Sequence, residues 1–193
     1  MQHPPAPADP FFGVVLHEPE IPNNTGNIGR TCLTMGAALH LVEPLGFSLD
    51  EKALRRAGLD YWPRLAPSVH ANWPAYESSY PNPTRWYFTA RRGRPAFEAP
   101  LRRGDHLVFG RETVGLPGSV LRGNEDRCVH LPMLAGERSL NLATAVCAAL
   151  CEGVRQLVAR GEAAVGDAGE LVDRGRRTAE ILAVREQNRG PSV

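Results

Sequence analysis

The sequence predicts an α/β fold, a mostly parallel sheet with helices on both faces. Three observations carry that prediction. Short apolar, β-rich runs recur at 11–17 (FFGVVLH), 38–42, 85–89 (RWYFT), 106–109 (HLVF) and 128–131 (CVHL). Stretches with helical start and stop signals alternate with them. Polar, Gly-containing stretches follow three of the runs, at 23–30 (NNTGNIGR), 110–115 (GRETVG) and within 131–152 (LPMLAGERSLNLATAVCAALCE). Ligands of such sheets bind beyond the carboxyl ends of the strands, so the three stretches are expected to meet there.

In chain order, the strand at 11–17 is followed by Pro19 and Pro22, which force an extended loop ahead of NNTGNIGR. A helix is predicted over 27–35, ending near Gly36, with a second strand at 38–42. Ser48 and Glu51 match a capping box that opens a helix over 49–57, and Gly58 terminates it. A strand is expected at 68–71, and Asn72 caps a short helix through Trp73, Pro74 and Tyr76. Trp86, inside a strand, is assigned to the core, whereas Trp62 and Trp73 are candidates for stacking on bases. The last long helix is predicted over 140–160, with Ser139 and Asn141 at its start and small Ala and Cys positions packed closely against a neighbour. Three domains of the chain are expected: a disordered leader over 1–10, a core domain over 11–160, and over 161–193 a linker (161–169) with a peripheral helix or tail.

Composition narrows the class. The chain has 193 residues, 42% hydrophobic and 22% charged, enough for one core domain of a soluble protein. No window holds the roughly 20 apolar residues of a membrane span, and the Pro-rich start MQHPPAPADP lacks the basic and apolar regions of a signal peptide. A cytoplasmic location with no membrane partner is expected. Cys32, Cys128, Cys147 and Cys151 form no CxxC pair and have no His at zinc-ligand spacing. They are expected to be buried thiols, with no disulfide framework and no metal site. The net charge is only +1, but Arg55, Arg56, Arg91, Arg92, Arg94, Arg102 and Arg103 form local basic clusters able to neutralise phosphates.

Large enzyme classes are excluded by their missing motifs. No GxGxxG follows the first strand, no GxxxxGK[ST] is present, and a Ser-His-Asp hydrolase would want the absent GxSxG elbow.

The motifs that are present resemble those of SPOUT-class RNA 2′-O-methyltransferases, and specifically the branch that acts on the tRNA wobble nucleotide. EPEIPNNTGNIGR (18–30) is similar to the first family motif, LVFGRETVGLP (107–117) to the second and LPMLAGERSLNLATAV (131–146) to the third. EPLGFSLDEKALRRAGLDYW (43–62) points to the wobble branch. The resemblance covers about 11–157. It implies a sheet whose C-terminal segment is threaded as a deep trefoil knot, S-adenosylmethionine as cofactor, tRNA as partner and a homodimer. The cofactor contacts it implies are Thr89, Gly110, Leu131, Met133, Ser139 and Leu140, many through the backbone. The catalytic set it implies is Arg30, Asn24, Glu112, Ser139 and Asn141.

Methyl transfer to a ribose hydroxyl requires oxygen, carbon and sulfur in line and an oxygen stabilised as it loses its proton. A guanidinium titrates near 12.5–13.8 in model compounds, so Arg30 is read as a cation stabilising developing negative charge rather than as a base. Glu112 is read either as part of the chemistry or as a carboxylate pairing with an arginine to hold a loop. Arg91, Arg92 and Arg94, with Arg55 and Arg56, are the phosphate contacts expected for RNA. Where the wobble branch carries a Tyr in the last helix, this chain has Cys151, which withdraws that contact. The expected activity is 2′-O-methylation of nucleotide 34, cytidine or a modified uridine, of leucine tRNA isoacceptors. Its rivals are the same chemistry elsewhere in tRNA or on ribosomal RNA, and a non-catalytic RNA-binding or cofactor-sensing protein.

Overall fold

The computed structural model describes residues 9–49 and 61–175. In chain order the elements are β1 (Gly13–His17), α1 (Pro22–Thr34), β2 (Ala38–Val42), α2 (Trp62–Leu65), β3 (Ser68–His70), α3 (Trp73–Ser79), β4 (Arg85–Thr89), β5 (Arg94–Pro95), β6 (His106–Phe109), α4 (Gly118–Leu121), β7 (Cys128–His130), α5 (Leu142–Ala159), β8 (Ala163–Val165) and β9 (Leu171–Asp173). The helix predicted over 49–57, with Arg55 and Arg56, lies outside the described residues. So do most of the leader and the chain after residue 175.

The two-residue period of each strand sets the layers. Val14 and Leu16, Leu39 and Leu41, Trp86 and Phe88, and Leu107 and Phe109 face one side with Ile28 and Cys32 of α1, Trp62 and Leu65 of α2, and Val146, Leu150 and Leu157 of α5. Val15, Val42, Tyr87 and Val108 face the other, against Tyr76 of α3 and Val120 and Leu121 of α4. Seven strands run in the order β3-β2-β1-β6-β4-β7-β5, and their pairings are parallel. The predicted mostly parallel sheet with helices on both faces is therefore observed. Its strands are buried on both sides, which is why they read as continuous apolar runs.

Several boundaries differ from the sequence reading. NNTGNIGR is not a loop: α1 begins at Pro22, whose fixed φ and missing N–H suit the first helical turn. Its glycines serve packing, since a Cβ on Gly29 would approach Leu65 Cδ2 to 2.7 Å and push α2 off α1. Strand β5 was not predicted; Pro95 is tolerated because β5 is the sheet's edge. The short α4 carries too little periodicity to be read in advance. Asn72 caps α3 as expected, accepting from Ala75 N at 2.9 Å.

The expected linker over 161–169 is instead a hairpin. β8 and β9 pair antiparallel, Gly169 supplies the positive φ of the turn (84°), and Ala163 is buried in the core. Arg103 holds the hairpin to the sheet, donating to Asp173 at 2.6 Å while lying 4.5 Å over the Phe11 ring.

Helix α5 averages 1.4 in hydropathy over 18 residues, meeting a membrane span's length and composition. The core accounts for one face. The other exposes Thr144, Cys147 and Cys151, so two of the four thiols are not buried as expected; Cys32 and Cys128 are. Trp62 is buried beneath α1 rather than free to stack on a base. A buried histidine cluster sits on the opposite sheet face: His40 stacks on His106 at 5.0 Å, His70 adjoins His40, and the Tyr76 hydroxyl and His106 Nδ1 share a 2.6 Å hydrogen bond.

Candidate active site

The loops after β4, β6 and β7 leave the sheet at its carboxyl end and enclose a cleft of about 740 Å³, within the range that takes cofactor-sized ligands. Thr89, Gly110, Leu131, Met133, Ser139 and Leu140 all line it, as do Asn24, Glu112 and Asn141, with Arg91 and Arg92 at its wall. Arg30 and Arg94 do not. Arg30 is exposed on α1, its guanidinium carbon 5.1 Å from the centroid of the Tyr61 ring. Arg94 donates to the Asp126 carbonyl at 3.1 Å.

Each lining residue is placed by a local cause. Thr89 Oγ1 accepts from Arg92 N at 2.8 Å and donates to Arg92 O at 2.9 Å, closing a tight turn beyond β4. Its side chain is thereby occupied, and what it offers the cleft is backbone. Gly110 is required for a reason nearer home than ligand approach: a Cβ there would lie 2.1 Å from Gly115 C and 2.2 Å from Leu116 N. The 110–116 loop folds back on itself through the Arg111–Gly115 bridge, and only glycine fits beneath it. Asn141 is the N-cap of α5, its Oδ1 accepting from Ala143 N (2.9 Å) and Thr144 N (3.3 Å).

Hydrogen bonds join the three motifs. Asn141 Nδ2 donates to Asn24 Oδ1 at 2.9 Å, and Asn24 Nδ2 donates to Glu112 Oε1 at 3.0 Å. The Glu112 carboxylate also accepts from Glu20 N (2.8 Å) and Ile21 N (3.2 Å), placing a negative charge at the amino end of α1. It holds a loop, as one of the two readings has it, but through backbone amides and Asn24 rather than through an arginine. The clasp is reciprocal. Glu20 accepts from Arg111 Nε (3.0 Å) and Nη2 (2.7 Å) and from Thr113 N (3.0 Å). Those bonds, the Arg111 guanidinium first, hold the Glu20 carboxyl below the usual carboxylate range.

Sequence reasoning missed the Glu20–Arg111–Thr113 half of the clasp. Opposite charges in two motif stretches were its only signal. It also missed Arg138, which lines the cleft and makes no hydrogen bond or ion pair among the described residues. Ser139 likewise keeps its hydroxyl free of protein partners there. The walls combine apolar side chains, Leu116, Leu142 and Ala145, with the stacked Phe88–Phe109 pair behind them (4.6 Å between centroids). Apolar walls with backbone amides and carbonyls at Gly110, Leu131 and Met133 suit a flat heteroaromatic base. The free Ser139 hydroxyl suits a polar extension of the same ligand, and the Arg138 guanidinium stands as a free cation on the cleft wall.

The SpoU rRNA Methylase family profile matches residues 12–151. The curated tRNA (cytidine(34)-2'-O)-methyltransferase of Saccharophagus degradans is 46% identical over 148 residues, which cover 76% of this chain and 96% of the relative. The protein of that name from Escherichia coli is 44% identical over 149 residues, covering 76% and 94%. A solved structure concerning the 2-OH methylation of C/U34 on tRNA has a TM-score of 0.71 at 43% identity, covering 77% of this chain and 97% of that one. The SpoU methyltransferase AviRb from Streptomyces viridochromogenes, in complex with AdoMet, has a TM-score of 0.67 at 26% identity, covering 79% and 60%. With three motif stretches folded into one cleft and the profile spanning most of the length, this chain belongs to the SpoU rRNA Methylase family.

Proposed function

We propose that the chain is an S-adenosylmethionine-dependent methyltransferase acting on the ribose 2′-oxygen of nucleotide 34 of tRNA. The observation that carries this is likeness over nearly the full length of relatives named for that activity, 44–46% identical, joined to a cleft lined by all three motifs. The cofactor, when bound, supplies an electrophilic methyl group. The chain's own residues do the rest. The loop backbone at Gly110, Leu131 and Met133, with the apolar wall, holds the adenosine part, and Asn141 fixes the start of α5 so that Ser139 and Leu140 keep their places beside it. The Asn24–Glu112 clasp keeps the 110–116 loop closed over the site, which excludes water and orients the reactants. Arg138, free of protein partners, is a cation for the acceptor nucleotide.

In this reading the segment between β7 and α5 is threaded through the loops after β4 and β6 as a knot. Support comes from all three contributing to one cleft wall. The enzyme is a homodimer closed over the exposed Thr144, Cys147 and Cys151 face of α5, and Arg30, outside the cleft of its own chain, serves the partner's site as the cation for the 2′-oxygen. The substrates are leucine isoacceptors in the cytoplasm, with cytidine or a modified uridine at position 34.

The family's description favours ribosomal RNA as a second reading. Ribose-methylation maps of tRNA and rRNA from cells with and without the gene separate the two. Loss of the 2′-O-methyl group at nucleotide 34 is expected; an unchanged nucleotide 34 with a lost rRNA methyl group would overturn the first reading.

A further inference from the structure

We propose that a second cavity beside the cleft is a phosphate subsite for the RNA strand that carries the acceptor ribose; this rests on the RNA-methyltransferase reading above. The cavity measures about 260 Å³, and Arg92, Gly93, Arg122, Glu125 and Cys128 line it. That is below the roughly 300–1,000 Å³ of pockets that take nucleoside-sized ligands, so it suits a phosphodiester rather than a second base. Arg92, Gly118 and Leu121 line both cavities, so one wall separates the subsite from the cleft.

The two guanidiniums are available. Arg91 donates to the Glu137 carbonyl, Arg94 to the Asp126 carbonyl and Arg111 to Glu20. The side chains of Arg92 and Arg122, by contrast, make no hydrogen bond or ion pair among the described residues. Glu125 also lines the cavity; hydrogen bonds from its own backbone N–H and from Gly123 N (3.2 Å), with Arg122 nearby, hold its carboxyl below the usual carboxylate range. Two cations and one anion leave a single positive charge on the wall, complementary to one phosphodiester. The frame is stiff. Gly93 has φ 81°, and a Cβ on it would lie 1.8 Å from Cys128 O, so the loop bearing Arg92 is wedged against β7. The turn between Thr89 Oγ1 and Arg92 fixes its other end. Two free guanidiniums, one of them on a stiff loop, one wall from the acceptor site are an arrangement by which a strand is positioned without being read for sequence.

The test is tRNA binding by fluorescence anisotropy between 50 and roughly 200 mM salt, on the full chain with S-adenosylhomocysteine present, for wild type, Arg122→Ala and Arg122→Lys. Losing one phosphate contact should weaken Arg122→Ala binding about three- to tenfold and reduce the slope of log affinity on log salt by about 0.7–0.9. Arg122→Lys should recover most of both, and the Michaelis constant for S-adenosylmethionine should not move. Wild-type affinity and slope in Arg122→Ala, in a protein that still methylates tRNA, would overturn the subsite and leave the functional reading standing. Inorganic phosphate binding that Arg122→Ala abolishes with tRNA affinity intact would assign the cavity to a free anion and also overturn it. A wild type that methylates no RNA would remove the functional reading itself.

Discussion

Removing the Glu112 carboxylate tests whether this residue acts on the reaction or on the shape of the site. Glu112→Ala strips acceptors from three donors at once, Glu20 N, Ile21 N and Asn24 Nδ2. A hydrogen bond to a charged group contributes about 1.5–3 kcal/mol when fully buried. This one is only partly buried and water replaces some of it, so we take about 1 kcal/mol per donor and about 3 kcal/mol in all. For a domain of this length that lowers the melting temperature by roughly 6–12 °C. Asn24 is itself buried and would lose its orientation, so Asn141 and the start of α5 loosen with it. The Michaelis constant for S-adenosylmethionine should therefore rise together with the fall in stability. Glu112→Gln keeps one acceptor oxygen and should give about half of each effect. Differential scanning calorimetry and steady-state kinetics on both variants supply the two readouts. A Glu112→Gln protein that melts like wild type, binds cofactor normally and turns over poorly would refute the positioning role and put the carboxylate in the chemistry.

Three further outcomes are expected. Burial, reinforced by its neighbouring histidines, drops the pKa of His40 to about 3, and burial with Arg85 nearby drops that of His106 to about 4, so the unfolded chain binds more protons between those values and 6.5. Stability then falls as pH falls below 6.5, by about 2 kcal/mol per histidine between pH 7.5 and 5; urea unfolding across that range reads it, and a flat profile contradicts it. Gly110→Ala drives a methyl group into the backbone at Gly115 and Leu116, costing about 3 kcal/mol and cofactor binding by calorimetry; unimpaired binding would show that the loop yields. Arg30→Ala should abolish methylation while leaving cofactor affinity within about threefold if, as proposed, the guanidinium acts on the acceptor oxygen; near-normal turnover would remove that role.

Much of the site was legible because its residues stand at the ends of apolar runs, where a parallel sheet must deliver them. Val14, Leu107 and Tyr87 announced their strands, and the polar stretches after β1, β6 and β7 fell where ligands of such folds bind. Local rules failed where packing overrode them. Residues 22–26 read as loop, yet they form the first turns of α1, and Gly29 further along is a buried helical position that lets α2 close on α1. The hairpin β8–β9 read as linker and tail because its strands are only three residues long and are held by packing of Ala163 and Leu171 on the core and by the Asp173 bond to Arg103, 70 residues earlier in the chain. The Glu20 half of the clasp was invisible because its partners lie more than 90 residues away, and Glu20 alone reads as a solvated charge.

The central claim is a site of reaction, and one reconstitution tests it most directly. Purified protein, S-adenosylmethionine bearing a labelled methyl group and a leucine tRNA should give one labelled ribose, located by nuclease digestion and mass spectrometry. The label is predicted on nucleotide 34, and a tRNA carrying 2′-deoxyribose only at that nucleotide should take up none. Undiminished incorporation into the deoxy-34 tRNA would contradict the account.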